Sequence, residues 1–200
     1  MYLQHLYGLF SHPHREWNSI KTENYSMSHV YLMHLAFLAA IPAISLYLGM
    51  TQVGWSLTGD EYTKLSVERA VPLSFAFYGA MLVGIAIMAY ATFWMEKTFG
   101  VDASFQRCLT FISFTATPMF FVGLIGLFPV LWVNVLVVLC AVSYSLYLLY
   151  VGVPIYMDIP EERGFIFSSS ILTVGLCTLV GTMGATIIIW GSGIIPQLAI

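Results

Sequence analysis

Charge is what this chain has least of: 7 Lys and Arg and 10 Asp and Glu among 200 residues, or 8%, where a soluble domain carries about 25%. So little charge excludes an ordinary soluble domain, and a net charge of −3 offers no basic patch to nucleic acid. Cysteine is scarce as well. Cys108, Cys140 and Cys177 are odd in number and sit in or beside apolar runs. They read as reduced, small core residues, not as a disulfide framework. There is no phosphate loop, dinucleotide fingerprint, CxxC pair, serine elbow or H-E-x-x-H helix, so enzyme is the least supported class and no cofactor is expected. Nor does any Asp, Glu, Lys or Arg fall inside the long apolar runs. An intramembrane charge costs about 2.5–3.5 kcal/mol or more and marks ion pathways and proton relays, so its absence weighs against ion-coupled transport.

What is present is apolar length, with 59% of residues hydrophobic. Runs at 29–48, 71–94, 108–128, 130–152 and 165–190 each approach the ~20 residues needed to cross a ~30 Å hydrocarbon core. Barrel strands would instead show alternating segments of about ten residues. The expectation is an all-α polytopic membrane protein of five transmembrane helices, with an N-terminal segment 1–28 and a membrane domain 29–200. Residues 1–28 hold His, Arg, Glu, Lys and Asn, unlike a cleavable signal, so the first span is expected to direct insertion. Leu3, Leu6, Tyr7 and Phe10 recur at helical spacing and suggest a short amphipathic helix on the inner leaflet, ended by Ser11-His12-Pro13. Arg15, Lys21, Lys97, Arg107 and Arg163 share one side of a five-span topology, against Lys64 and Arg69 on the other. That bias places the N-terminus in the cytoplasm and the C-terminus outside, with Trp94 at the inner interface and Trp132 and Trp190 at the outer.

Within the spans, Pro129 fits a tight hairpin between the third and fourth, because the first helical residues need no N–H partner. Ala76, Ala80 and Gly84 form a small-residue stripe on span two; Thr173, Cys177, Gly181 and Ala185 form one on span five. Such stripes serve close helix packing inside the bundle or between two copies. Pro42 and Pro118 each remove a helix hydrogen bond and read as kinks, with Thr115 and Thr117 placed to meet freed carbonyls. Asn134, polar within span four, suits an interhelical hydrogen bond. Alternatively, Thr115, Thr117, Pro118 and Asn134 would line a conduit for a lipid or a small neutral solute. His12, His14 and Glu16 alternate, so an extended backbone would put three metal-ligand types on one side. His29 and His34 flank the start of span one.

The stretch "YVGVPIYMDIPEERGFIFSSS", residues 150–170, concentrates charge and proline between two apolar runs. Tyr144, Tyr147 and Tyr150 approach the headgroup level, and Gly152 and Pro154 read as the stop of span four. Asp158, Glu161, Glu162 and Arg163 form an acidic loop stiffened by Pro154 and Pro160. Gly164 reads as the turn, and Ser168, Ser169 and Ser170 open span five, exceeding what capping needs. This loop reads as either a connector or a docking surface for a partner.

The segment "YLLYVGVPIYMDIPEERGFIFSSSIL" (147–172) resembles the Yip family of five-span membrane proteins, named for Ypt/Rab interaction, and within it the bacterial YohC-like inner-membrane branch. "GLFSHPHREW" (8–17), "AAIPAI" (39–44), "TQVGW" (51–55), "FYGAMLVG" (77–84) and "ATPMF" (116–120) resemble it in the same order. The resemblance implies an all-helical domain with a cytoplasmic N-terminus, in a family whose eukaryotic members bind small GTPases and one another. This chain lacks their long N-terminal segment, so it implies no Rab-type partner here and no catalytic residue. The expected function is a non-enzymatic adaptor or organiser in the bacterial inner membrane. Its partners would be the lipid bilayer, other membrane proteins and a possible second copy, docking at Pro154, Asp158, Pro160, Glu161, Glu162, Arg163, Gly164 and Ser168–Ser170. The conduit, and then metal binding by the N-terminal histidines, are the alternatives.

Overall fold

The computed structural model describes residues 2–23, 30–56, 59, 61–128 and 130–191, and within the helices all side chains except those at 2–4, 32–33, 182–183 and 185–191. Pro129, His29, and the side chains of Leu3, Ala185 and Trp190 therefore lie outside the described set. Two short helices come first, α1 (Tyr2–Ser11) and α2 (Pro13–Thr22). Helix α3 (Ala36–Leu48) is flanked by π-helical turns at Val30–Leu35 and Gly49–Val53, and α4 (Val67–Met95) ends in a 3-10 turn, Glu96–Phe99. Then come α5 (Phe105–Thr115), α6 (Thr117–Val122) with a 3-10 turn at Gly123–Leu127, α7 (Leu131–Met157) and α8 (Glu161–Gly191). Four described stretches are long and apolar enough to cross a membrane. The α5–α6 pair, bent by 41°, makes a fifth if it crosses as one broken span. Trp94 and Trp132 both face outward, as an aromatic belt requires.

The break falls at Ala116, two residues before Pro118, which stands in the first turn of α6 and cannot donate to the preceding turn. Thr115 Oγ1 donates to the Phe111 carbonyl at 2.8 Å and Thr117 Oγ1 to that of Ser113 at 3.4 Å, so both threonines do bond backbone around the break. Pro42 behaves differently: α3 runs through it unbroken.

Span four does not stop at Gly152 and Pro154. Helix α7 continues through both to Met157, correcting the sequence expectation. It ends at Asp158, whose φ of 57° is left-handed and whose N–H reaches the Pro154 carbonyl. Asp is one of the few non-glycine residues that visits this region. Only Asp158, Ile159 and Pro160 separate α7 from α8. Gly152 makes room for a neighbour instead, since a Cβ there would sit 2.6 Å from the Trp17 ring and 2.7 Å from Phe111. It is the seat of Trp17.

Trp17 and Ile20 of α2 and Leu9 of α1 are fully buried in one cluster with Phe111, Phe114, Leu148, Val153 and Phe167. The Trp17 ring lies 4.9 Å from Phe111 and 5.8 Å from Tyr156. The N-terminal helix is thus present, but its apolar residues do not share one face toward lipid. Leu6 and Leu9 are buried in protein while Tyr7 and Phe10 point outward. The Tyr144 hydroxyl donates to the Leu9 carbonyl at 2.8 Å, roughly 20 Å along α7 from its end at about 1.5 Å per residue. Helix α1 packs against the bundle through Leu9 and the Tyr144 hydroxyl.

Candidate functional site

Charge gathers at the end of the bundle that holds the α7–α8 turn. Asp158 is exposed there and accepts from Lys21 of α2; Arg107 of α5 reaches its other oxygen at 3.4 Å. Arg107 also donates to the Tyr156 carbonyl and lies 5.3 Å over the Tyr156 ring. One carboxylate therefore ties α2, α5 and the turn together. The hydrogen bond from Lys21 chiefly, with the hydrogen bond from Arg107 and the positive charges of both, holds the Asp158 carboxyl below its ordinary range against the opposing effect of burial. Nearby, the buried Glu96 carboxylate accepts from the Ala103 N–H and closes the loop after α4.

The ten docking residues expected from sequence divide into two groups. Asp158, Pro160, Glu161, Glu162 and Arg163 are exposed, and Glu161 and Glu162 occupy the first turn of α8, where the helix dipole favours negative charge. The others belong to the α7–α8 seam. A Cβ on Gly164 would lie 3.1 Å from the Pro154 ring, so this glycine serves close helix contact and not the turn. Ser168 is buried, with its hydroxyl 3.5 Å from the Leu149 carbonyl. Ser169 meets the Tyr150 hydroxyl at 2.9 Å, and Ser170 bonds the Ile166 carbonyl. Because α8 starts at Glu161, the serines lie about two turns inside it and cap nothing.

The metal set is not assembled. Residues 13–22 are helical, so the alternation of His12, His14 and Glu16 scatters them around α2 instead of aligning them. Among the described residues no group of three His, Cys, Asp or Glu is placed to hold a metal ion. Glu16 turns instead to His5, whose other ring nitrogen meets Glu23 at 3.1 Å. His34 is buried beside Phe114, ring centroids 4.2 Å apart, with Thr117 Oγ1 at 3.5 Å. These contacts were not foreseen from the sequence. The only signal for them was that His5, Glu16 and Glu23 are polar residues near an apolar helix face.

Nor do the small-residue stripes pack the bundle. Ala76, Ala80, Thr173, Cys177 and Gly181 are exposed, and a Cβ on Gly84 or Gly181 would meet nothing within 4 Å. Of the cysteines, Cys108 is buried while Cys140 and Cys177 face outward. The close approach is made elsewhere, by glycines the stripe pattern passed over. Cβ atoms on Gly49 and Gly123 would lie 1.8 Å from the Gly126 carbonyl oxygen and 2.2 Å from Pro42.

The conduit set separates too. Thr115 and Asn134 line a cavity of about 710 Å³ among the helices, but Thr117 and Pro118 do not. The Asn134 amide donates to the Phe128 and Val130 carbonyls at 3.0 and 2.9 Å, closing its own turn instead of bridging two spans.

With this geometry in view, comparison with known proteins gives a consistent answer. The family model described as Yip1 domain matches residues 7–182. The chain is similar to the inner membrane protein YohC of Escherichia coli strain K12, 40% identical over 191 residues, covering 96% of this chain and 98% of that one. The YohC of Escherichia coli O6:H1 matches to the same extent. No solved structure matches. A family match across nearly all of the helical bundle, joined to relatives alike over their full length, shows that this multi-pass membrane protein belongs to the Yip1 domain family.

Proposed function

We propose that this protein is a non-enzymatic organiser of the bacterial inner membrane that works by binding other membrane proteins at its charged end. One observation carries the reading: α2, the 158–160 turn and the start of α8 meet in an exposed charged surface on a chain with few charges, with Lys21, Asp158 and Arg107 fixing its shape. Two cations share the one Asp158 carboxylate, so its charge is taken up within the surface. Glu161 and Glu162 remain exposed on a helix start, a rigid acidic pair suited to a basic juxtamembrane stretch on a partner. The Lys and Arg count favours the cytoplasm for this end and the opposite side for the C-terminus. The relatives carry the name inner membrane protein, which supports the location.

Affinity purification of the tagged chain from native membranes tests this. Glu161→Lys with Glu162→Lys should remove a specific co-purifying membrane protein while helicity and yield stay at wild-type level. Glu161→Gln with Glu162→Gln should weaken the complex less. An identical set of co-purifying proteins from all three forms would sink the proposal.

A further inference from the structure

We propose that the intramembrane cavity is a binding site for one acyl chain of a bilayer phospholipid. The cavity, about 710 Å³, is walled by α3 to α8 and lies within the range of about 300–1,000 Å³ typical of ligand sites. Its lining runs along α7 from Asn134 to Leu149, roughly 22 Å at about 1.5 Å per residue.

Water does not suit it. Of its polar side chains, Thr115 is bonded to the Phe111 carbonyl and Asn134 to the Phe128 and Val130 carbonyls. Ser145 Oγ alone among them is buried without a partner, whereas each enclosed water needs 2–4 polar partners. The same wall offers a polar solute little beyond the Ser145 hydroxyl. A helix of a second copy or of a partner does not fit either. Spread over that length, with the radius of a water molecule allowed on each side, the volume gives a mean width of roughly 9 Å, narrower than the ~10–12 Å of a helix with its side chains.

An acyl chain passes within that width and suits the apolar lining, and it has a way in. Phe77 of α4, Val138 of α7 and Leu179 of α8 line the cavity and are also exposed on the flank of the bundle, the surface that faces lipid. Helices α4 and α8 touch near Met88 and Gly175, with Met88 Cε 3.4 Å from the Gly175 Cβ position. Toward their other ends, Cβ atoms on Gly79, Gly84, Gly181 and Gly184 would meet nothing within 4 Å. Of these glycines Gly84 lines the cavity, as Gly175 does on α8.

The test uses the full chain in vesicles of phosphatidylethanolamine and phosphatidylglycerol doped with a phospholipid carrying a diazirine midway along one acyl chain. Cross-linked residues are then mapped by mass spectrometry. Labelling should concentrate at Met88, Met119, Ser145 and Gly175, several-fold above outward-facing Phe75, Leu139 and Val180. Gly84→Leu should reduce cavity labelling about fivefold at unchanged yield and helicity. Gly79→Leu, which has equal free space but lies outside the cavity lining, should leave it unchanged. Equal labelling of cavity and outward positions, as surrounding lipid alone would give, overturns the proposal. So does labelling unmoved by Gly84→Leu. Cross-links from the cavity wall to a second copy of the chain would also overturn it, since a helix would then be the occupant.

Discussion

A side chain at Gly49 would put its Cβ 1.8 Å from the Gly126 carbonyl oxygen, and one at Gly123 would sit 2.7 Å from the Pro42 Cα. The obstacles are backbone atoms, so they cannot swing aside. Gly49→Val or Gly123→Val should therefore cost at least about 1–3 kcal/mol through overpacking. In thermal unfolding in detergent, Gly181→Ala should stay within about 1 kcal/mol of wild type. An equal loss for all three would contradict the packing described here. The sequence could not separate these glycines. Gly84 and Gly181 satisfy a four-residue stripe and Gly123 and Gly126 do not, because the latter sit in a 3-10 turn where residues three apart eclipse. Periodicity reports a shared face but not what that face meets.

Asp158 adds a pH dependence at the same scale. Its carboxyl is held below the ordinary range by Lys21 and Arg107, so the folded state prefers the ionised form. The ion pairs stabilise this end at neutral pH, and that contribution is lost as pH falls through the carboxylate range. The site is exposed, so the effect is modest. Protease cleavage within residues 1–23 should rise between pH 7 and pH 3.5, and the Asp158→Asn variant should start from a higher rate with a smaller rise. A pH profile unchanged by Asp158→Asn would contradict the assignment.

At the scale of elements, the N-terminal hairpin is what the sequence concealed best. The alternation of His12, His14 and Glu16 suggests an extended backbone, yet Trp17 and Ile20 on one face and Pro13 at the first helical position mark a helix start. Three polar residues at odd spacing carried less information than two apolar ones. The end of span four misled for a related reason. Glycine and proline close together read as a stop, but Gly152 makes room for Trp17 and Pro154 packs on Gly164. By contrast, the broken span near Pro118 was legible from its proline, although the same signal at Pro42 left α3 unbroken. Removing the Trp17 ring should cost about 3–5 kcal/mol, read as lower thermal stability. Gly152→Leu should expel the ring without removing it, shifting Trp17 fluorescence in a variant lacking the other four tryptophans. Unchanged emission would place Trp17 elsewhere.

For the whole molecule, the membrane class was written in composition: apolar runs of span length and almost no charge leave few alternatives. The same scarcity made the charged end conspicuous at residues 150–170. Its contents were harder to read, because half of the residues marked there belong to a helix seam that forms only when α7 and α8 meet. What sequence alone could not supply was the third participant, α2, brought to the turn from 137 positions away through Lys21. That convergence is the observation on which the proposed organising role rests. The most direct measurement is photocrosslinking in native membranes from a reactive amino acid placed at position 161, followed by mass spectrometry. The account predicts repeated capture of one membrane protein, lost when Glu162 is reversed to Lys in the same chain. Capture of lipid alone, or of nothing but further copies of this chain, would contradict it.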